Sequence, residues 1–275
     1  MTAESVAVGA AGATSRRRGA PSNSVLGVLG LLGLVVVLEL LPRTGIVDSR
    51  FLPPFHEIAL ALGEQLGQPE FWTALIGTLR GWAIGLTIAM VAGIVLGVAI
   101  GSVPLLRKAT NSTIEFLRPI PSVALIPLAV LLYGTDMRAT LLLVVYASFW
   151  QVLVQVLYGV QDVDPVARET SRSYRFRALT RVRTVIWPTA LPYVLTGFRL
   201  AAAVALILEV TGELIIGSPG LGNLIAVAQS SGAYASMYAL VVVTGLIGVT
   251  VNVIARQVER RVLRWHPSIR REVVR

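Results

Sequence analysis

The chain has 275 residues, of which 55% are hydrophobic and only 14% are charged, and its mean hydropathy is +0.73. Soluble domains carry about 25% charged residues, so this composition excludes an ordinary soluble protein and predicts an integral membrane protein. The sequence contains no cysteine, which excludes disulfides, iron–sulfur clusters and thiol chemistry. The formal net charge of +9 would suggest nucleic-acid binding in a soluble protein, whereas in a membrane protein it reports topology.

The apolar segments predict an all-α protein with six transmembrane helices. Residues 1–24, rich in Ala, Ser and Gly, are expected to form a disordered tail, and residues 25–42 (VLGVLGLLGLVVVLELLP) are long enough to cross the hydrocarbon. No A-x-A cleavage site follows, so we interpret this segment as a retained span rather than a secretory signal. A short surface helix is expected at about 54–66. The other five spans are expected at about 72–101, 118–134, 138–160, 189–216 and 237–255.

Proline and glycine interrupt two of these regions. The third span contains Pro119, Pro121 and Pro127, so it is predicted to be short and bent. The stretch GSPGLGNL at 217–224 lacks the lysine of a phosphate-binding loop. Its glycines instead predict a tight re-entry into the membrane, followed by a short helix at 221–232.

Positive charge is concentrated on one side of the predicted spans. The basic residues on that side are Arg16, Arg17, Arg18, Arg107, Lys108, Arg118, Arg168, Arg172, Arg175, Arg177, Arg181, Arg183, Arg256, Arg260, Arg261, Arg264, Arg270, Arg271 and Arg275. The positive-inside rule makes this side cytoplasmic, so both termini are expected in the cytoplasm. The membrane domain is then expected over 25–260, with a basic cytoplasmic tail over 261–275, and nucleic-acid binding is not needed to explain the charge.

The basic segment between the fourth and fifth spans, about 161–187, begins with the pattern of a short helix. Asp164 is a good N-cap residue, Pro165 suits the first helical position, and Glu169 lies near the positive end of the helix dipole. Residues spaced four apart are expected to share one face of this helix. They are Val166, Thr170 and Tyr174.

The second half of the basic segment predicts a turn near 175–177 and another helix. That helix is expected to stop at Pro188, because the residue before a proline resists helical geometry. The whole segment is therefore predicted as a helix–turn–helix across the ends of two spans. The alternative is a solvated basic loop that only fixes topology.

Ionisable residues inside the predicted spans are candidates for function, because they are costly in a membrane. They are Glu39, Arg80, Arg199, Glu209 and Glu213. Arg80 and Glu213 are placed near the outer side, where an ion pair between them is geometrically possible and would also serve simply to join two helices. Glu209 and Glu213 would instead carry protons in the alternative reading of the chain as an ion-coupled secondary transporter.

The fourth span carries uncharged polar residues near mid-membrane. Ser148, Gln151 and Gln155 lie close to one face, and Trp150 is placed four residues after Tyr146. Such donors suit a path for an anion, and they suit hydrogen bonds between helices equally well. With Glu213, the candidates for a substrate path are Ser148, Trp150, Gln151 and Gln155.

The basic segment resembles the coupling loop of ABC-importer permeases, whose pattern is E-A-A, three residues, G, and a basic amphipathic stretch ending in L-P. Glu169 stands at the Glu, Thr170 and Ser171 at the two Ala, and Trp187–Pro188 at the L-P. The chain departs from the pattern at Arg175, which stands at the Gly. The residues that this resemblance assigns to docking on an ATPase are Asp164, Pro165, Glu169, Thr170, Ser171, Tyr174 and Arg175.

The resemblance covers about residues 51–265. TLRGWAIGLTIAMVAGIVLGVAIG, LRPIPSVALIPLAVLLYG, LPYVLTGFRLAAAVA and GELIIGSPGLGNLI are similar to the subfamily that handles nitrate, aliphatic sulfonates, taurine and related small solutes. It implies the type I importer permease fold in the plasma (inner) membrane, a homodimer with the pathway at its two-fold interface, and transport by alternating access. It also implies two kinds of partner, cytoplasmic ATPase subunits that hold ATP and Mg and an extracytoplasmic solute-binding protein.

Two competing functions fit the sequence less well. The chain has only two histidines, His56 in an outer loop and His266 in the C-terminal tail, so a Ser–His pair within the bilayer and a metal site are both excluded. No Walker-type motif occurs in the sequence, so ATP hydrolysis is expected on a separate subunit. A secondary transporter would leave the amphipathic basic segment unexplained, and the sequence shows no internal repeat of the kind common in such carriers.

Overall fold

The computed structural model describes residues 23–264, and every regular element in that part of the chain is helical. The protein consists of two compact units, an N-terminal unit that ends at Phe55 and a larger unit that begins at His56. The predicted tails at 1–24 and 261–275 lie outside the described residues, except for 23–24 and 261–264.

The N-terminal unit consists mainly of one apolar helix, α1, at Asn23–Leu40. A short 3-10 turn at Pro42–Thr44 follows and ends at Gly45, whose φ of 75° suits glycine. The leucine and valine side chains of α1 are exposed in this chain, as expected for a helix that contacts lipid or another subunit. The predicted first span at 25–42 is confirmed as a helix of suitable length and hydropathy.

The larger unit begins with the predicted surface helix and contains the other spans. Its α-helices are α2 (Phe55–Leu66), α3 (Pro69–Ser102), α4 (Pro104–Leu117), α5 (Ile126–Tyr133), α6 (Met137–Gln161), α7 (Pro165–Ser173), α8 (Ala178–Arg181), α9 (Trp187–Ile216), α10 (Leu221–Ser230) and α11 (Tyr234–Val262). With α1, the described residues contain five helical segments long and apolar enough to cross a membrane. A sixth candidate is the bent pair formed by α4 and the segment Ser122–Tyr133, whose two parts meet at 84°.

The third predicted span, 118–134, differs from the structure. Only α5 and the 3-10 turn at Ser122–Leu125 are helical there, and α5 alone has eight residues, about 12 Å, which is too short to cross. Pro119 and Pro121 stop the helix because they lack N–H donors and disfavour helical geometry in the preceding residues. The helix α4 was not predicted, because its charged and polar residues are typical of a connection between spans.

The core of the larger unit lies where α3 and α9 pack on either side of α6. Glycines on α3 lie against valines on α6 so closely that an added Cβ at Gly93, Gly97 or Gly101 would lie 2.7–2.9 Å from a valine carbon. The valines in contact are Val152, Val156 and Val160. Small residues spaced four apart let two helix backbones approach, which is how membrane helices gain packing energy without a hydrophobic driving force.

One helical stretch runs without interruption from Ala178 to Ile216 and joins α8 to α9. The expected stop at Pro188 is therefore wrong. A π-helical turn at Val182–Ile186 lies just before the proline, and the Trp187 N–H donates to the Val182 carbonyl, five residues earlier. This wider turn relieves the clash that a proline ring makes with the carbonyl four residues earlier, so the helix continues.

Candidate functional site

The first turn of α7 is fixed by the predicted N-cap. The Asp164 Oδ1 atom accepts hydrogen bonds from the backbone N–H groups of Val166 at 2.6 Å and Ala167 at 3.0 Å. Pro165 occupies the first helical position, where its missing N–H costs nothing. A cap of this kind stabilises a helix by about 1 kcal/mol, so α7 is a defined helix although it has only nine residues.

Two contacts attach the basic segment to the membrane core. The Arg168 Nη2 atom donates to the Val160 carbonyl in the last turn of α6 at 2.8 Å. The contact places a cation at the negative end of the α6 dipole, where positive charge is stabilising. The Tyr193 hydroxyl on α9 donates to Asp162, just after α6, at 3.0 Å. The first contact attaches α7 to the end of α6, and the second joins the residue after α6 to α9.

The C-terminal end of α7 has the hydrogen bonds of a Schellman motif. The Phe176 N–H donates to the Ser171 carbonyl at 3.0 Å, and the Arg175 N–H donates to the Arg172 carbonyl at 2.9 Å. Arg175 has a φ of 54° and is the one non-glycine residue with positive φ in the part of the chain that the structure describes. The residue at the family's glycine position thus keeps the backbone conformation that glycine would adopt, at a cost of about 1–2 kcal/mol.

The outward surface of the basic segment carries exposed apolar side chains. Val166 is 70% exposed, Tyr174 is 75% exposed and Leu179 is 80% exposed. The charged or polar neighbours Glu169 and Thr170 are exposed as well. The predicted shared face of α7 is therefore solvent-accessible in this chain, and it has the mixture of aromatic, apolar and charged groups that protein interfaces use.

Ser171 was predicted to dock on a partner, and its position argues for a different role. Its side chain is buried, at 3% exposure, and its hydroxyl donates to the Arg168 carbonyl at 2.7 Å. The other residues assigned to docking are all exposed, although Asp164 also caps α7.

At the opposite end of the bundle, Glu213 caps α10. The Thr78 hydroxyl lies 2.8 and 2.9 Å from the two oxygens of the Glu213 carboxyl group, and the Gly222 N–H donates to Glu213 Oε2 at 2.9 Å. The Leu221 N–H donates to the Thr78 hydroxyl at 2.9 Å. Both side chains are buried, at 0% exposure for Thr78 and 1% for Glu213. Together they satisfy the first amides of α10 and join it to α3 and α9. We call Thr78, Glu213, Leu221 and Gly222 the α10 anchor.

The predicted Arg80–Glu213 ion pair does not form. Arg80 is exposed, whereas the Glu213 carboxyl group is buried and its oxygens are engaged by Thr78 and Gly222. Arg80 follows Thr78 by two residues on α3, which is about 200° around the helix, so the two side chains point to different sides. The polar partner of Glu213 is Thr78, which was not predicted as a functional residue.

Glu209 lies one turn from Glu213 and is 1% exposed. Its carboxyl group occupies the space that a Cβ at Gly81 of α3 would fill, and its Oε2 atom has no hydrogen-bond partner among residues 23–264. A second polar contact nearby joins Thr140 of α6 to Ser218, with 2.7 Å between their hydroxyl oxygens. Buried polar groups therefore connect α3, α6 and α9 at the α10 end.

The other predicted residues of a substrate path fall into two sets. Ser148 is fully buried and points to the Ala201 carbonyl of α9 at 3.4 Å, and Gln155 lies against Gly197, so both contribute to helix packing. Gln151 is half-buried. Trp150 lines a cleft of about 870 Å³ between α5 and α6, and its buried Nε1 has no hydrogen-bond partner among the described residues.

The remaining ionisable residues in the spans, Arg199 and Glu39, each form an ion pair. The Arg199 Nη1 atom on α9 lies 3.3 Å from Glu259 Oε2 on α11, and both side chains are half-buried. Arg199 also lines a cleft of about 370 Å³ between these two helices. Within the N-terminal unit, Glu39 pairs with Arg43 one turn later.

The helical architecture has a solved counterpart. It is similar to a solved bacterial ABC transporter involved in the import of the acidic polysaccharide alginate, with a TM-score of 0.62, 14% identity, and coverage of 86% of this chain and 96% of that one. The all-α membrane fold is thus that of an ABC-importer permease.

The family follows from the sequence match. Residues 85–264, more than half of the chain, match the model of the binding-protein-dependent transport system inner membrane component. The chain belongs to this family and is a membrane-embedded permease subunit. It is 30% identical over 232 residues to the taurine transport system permease protein TauC of Escherichia coli (strain K12), covering 82% of this chain and 83% of the relative. It is 26% identical over 235 residues to the putative aliphatic sulfonates transport permease protein SsuC of Bacillus subtilis (strain 168), covering 86% and 85%.

Proposed function

We propose that this permease imports a small organic or inorganic oxyanion of the sulfonate, taurine or nitrate type, driven by ATPase subunits that dock on its basic segment. The relatives named above carry sulfonates and taurine, which share a compact negatively charged head group. Uptake proceeds by alternating access, with the solute delivered by a binding protein on the α10 side.

The exposed face of α7 is the observation that supports ATPase docking. Val166 and Tyr174 project from a capped helix, and this helix is fastened to α6 by Arg168 and closed by the Schellman turn. An exposed aromatic on a rigid helix fits a partner's pocket with little loss of entropy on binding. The basic side of the bundle is cytoplasmic in this proposal, with both termini in the cytoplasm of a plasma (inner) membrane.

The functional unit is a homodimer. One chain carries one basic segment, and two ATPase subunits need two such segments. The exposed leucines and valines of α1 and α11 leave apolar surface for a second copy and for lipid. ATP and Mg are bound by the ATPase, and ATP is hydrolysed on that subunit and not on this chain.

Co-purification tests the docking. The tagged protein is solubilised from its native membrane, and the associated ATPase is quantified for the wild type, Tyr174→Ala and Tyr158→Ala. Tyr158 is a matched control because it is also an exposed tyrosine, 55% accessible, but lies on α6 and not on α7. Removing a central aromatic anchor costs about 2 kcal/mol or more, so ATPase recovery should fall at least tenfold in Tyr174→Ala and stay near wild type in Tyr158→Ala. Equal recovery from both variants would contradict the docking proposal.

Uptake by the purified complex tests the solute class. Proteoliposomes that contain the permease, its ATPase and its binding protein are supplied with labelled taurine, an alkyl sulfonate, nitrate or a neutral sugar. Uptake of at least one oxyanion, dependent on ATP, is expected, and the sugar should not enter. Uptake that persists without ATP but follows a proton gradient would instead support an ion-coupled carrier that uses Glu209 and Glu213.

A further inference from the structure

A small cavity lies at the end of the bundle where α3 and α6 finish. Its volume is about 20 Å³, and its polar lining comes from Ser102, the last residue of α3, and from Arg168, Arg172 and Arg181 of the basic segment. Val185 and Ile186, in the π-helical turn, form part of its apolar wall. The cavity therefore exists because the basic segment folds back onto the end of α3.

The cavity has positive charge and an unused hydrogen-bonding group. No carboxylate of the described residues forms an ion pair with any of the three arginines, although Arg168 and Arg181 are half-buried. The two nearby aspartates are engaged elsewhere, since Asp162 accepts from Tyr193 and Asp164 caps α7. The Ser102 hydroxyl oxygen is buried and has no partner among residues 23–264.

The size of the cavity limits what can enter it. A space of this volume holds roughly one oxygen atom or one water. A water could satisfy Ser102, but it would leave the guanidinium charges without a counter-charge in a partly desolvated place. A phosphate group can insert one oxygen while its other oxygens remain at the opening, within reach of a guanidinium fork.

The position of the cavity also favours a phosphate group as its ligand. It lies beside the last residues of two membrane-spanning helices, which is the depth at which phospholipid head groups sit. We propose that Ser102, Arg168, Arg172 and Arg181 form a phosphate-binding site, occupied by the head group of an anionic phospholipid or by a free phosphate. The site is separate from the exposed face of α7 proposed to contact the ATPase, although one of its residues, Arg168, also fastens α7 to α6.

Lipid binding by the purified full-length protein tests this site. The protein is prepared in detergent, and retained lipid is measured by native mass spectrometry after titration with phosphatidylglycerol, phosphatidylcholine or inorganic phosphate. Arg181→Gln and Arg172→Gln are compared singly and together with the wild type. Arg183→Gln is the matched control, because this arginine lies two residues from Arg181, is exposed and does not line the cavity.

The wild type is expected to retain phosphatidylglycerol in preference to phosphatidylcholine. Affinity should fall about tenfold or more for each cavity arginine removed, because a charge-assisted hydrogen bond to phosphate is lost. Arg183→Gln should cost no more than about fivefold, the effect of one basic residue near an anionic surface. Competition by millimolar inorganic phosphate would identify free phosphate as a source, and its absence would identify lipid. Ser102→Ala should weaken the same binding without changing the charge.

Two results would overturn the proposal. Equal losses in Arg181→Gln and Arg183→Gln would mean that only general surface charge attracts lipid. Binding of neither phosphatidylglycerol nor phosphate would leave a water or a carboxylate of a partner protein as the occupant. A melting temperature close to wild type in phosphatidylcholine will establish that each variant is folded.

Discussion

The α10 anchor predicts a large effect from a small change, Thr78→Val. Valine has nearly the shape of threonine, so packing is retained while the hydroxyl is lost. That hydroxyl donates to Glu213 and accepts from the Leu221 N–H at 2.9 Å, and it is fully buried. The substitution therefore removes two hydrogen bonds and leaves two buried polar groups with fewer partners.

The size of the effect follows from the type of group left behind. A lost hydrogen bond costs about 0.5–1.5 kcal/mol, and a buried donor left unsatisfied costs about 1–3 kcal/mol. Hydrogen bonds between side chains in membrane proteins average only about 0.6 kcal/mol, because the unfolded chain in the membrane also finds partners. The Leu221 N–H is a backbone donor at the start of α10 and would stay buried without an acceptor. We therefore predict that Thr78→Val lowers the free energy of unfolding by about 2 kcal/mol.

Denaturant titration of the purified protein measures the stability, and hydrogen exchange locates the change. The amides of Leu221 and Gly222 should lose protection in Thr78→Val, because they are the first amides of α10. Thr87→Val is the matched control on α3, since its hydroxyl is exposed and donates only to Ala83 in its own helix. Equal stability losses in the two variants, or unchanged protection of Leu221, would refute the assignment of Thr78 to the anchor.

Two further substitutions test close contacts and strain. Gly81→Ala places a methyl group on the carboxyl group of Glu209, whose side chain is itself buried, and should destabilise the protein by about 1–3 kcal/mol. Gly245→Ala, with open space around it, should be neutral or slightly stabilising in the same titration. A neutral Gly81→Ala would show that the Glu209 carboxyl group moves aside at little cost. Arg175→Gly removes a side chain from a residue with a φ of 54° and should raise stability by about 0.5–1 kcal/mol. Arg177→Gly, at a φ of −59°, should give no such gain, and a similar gain in both would rule out relief of strain as the cause.

Several elements could be predicted because their causes are local. The apolar segments are confirmed as long helices, and Asp164 is confirmed as the N-cap of α7, because hydropathy and capping depend on neighbouring residues. The short helix expected at 221–232 is likewise confirmed as α10, at Leu221–Ser230.

The errors concern contacts between distant residues. Glu213 was predicted to pair with Arg80 on the basis of charge, but its partner Thr78 is a residue type common throughout the chain and lies 135 positions away in sequence. No local signal marks such a contact. The helix through Pro188 was missed because a π-helical turn has no sequence pattern of its own.

The uninterrupted helical stretch from Ala178 to Ile216 has a mechanical consequence. Its 39 residues span about 58 Å, so a tilt of about 10° around its midpoint would shift each end by about 5 Å in opposite directions. One end adjoins the basic segment, and the other carries Glu213, which holds α10. If the helix tilts as one rigid body, a push at the arginine-rich end would move the anchor of α10 in the opposite direction, and α9 would have to slide against α6 and α3 in the core.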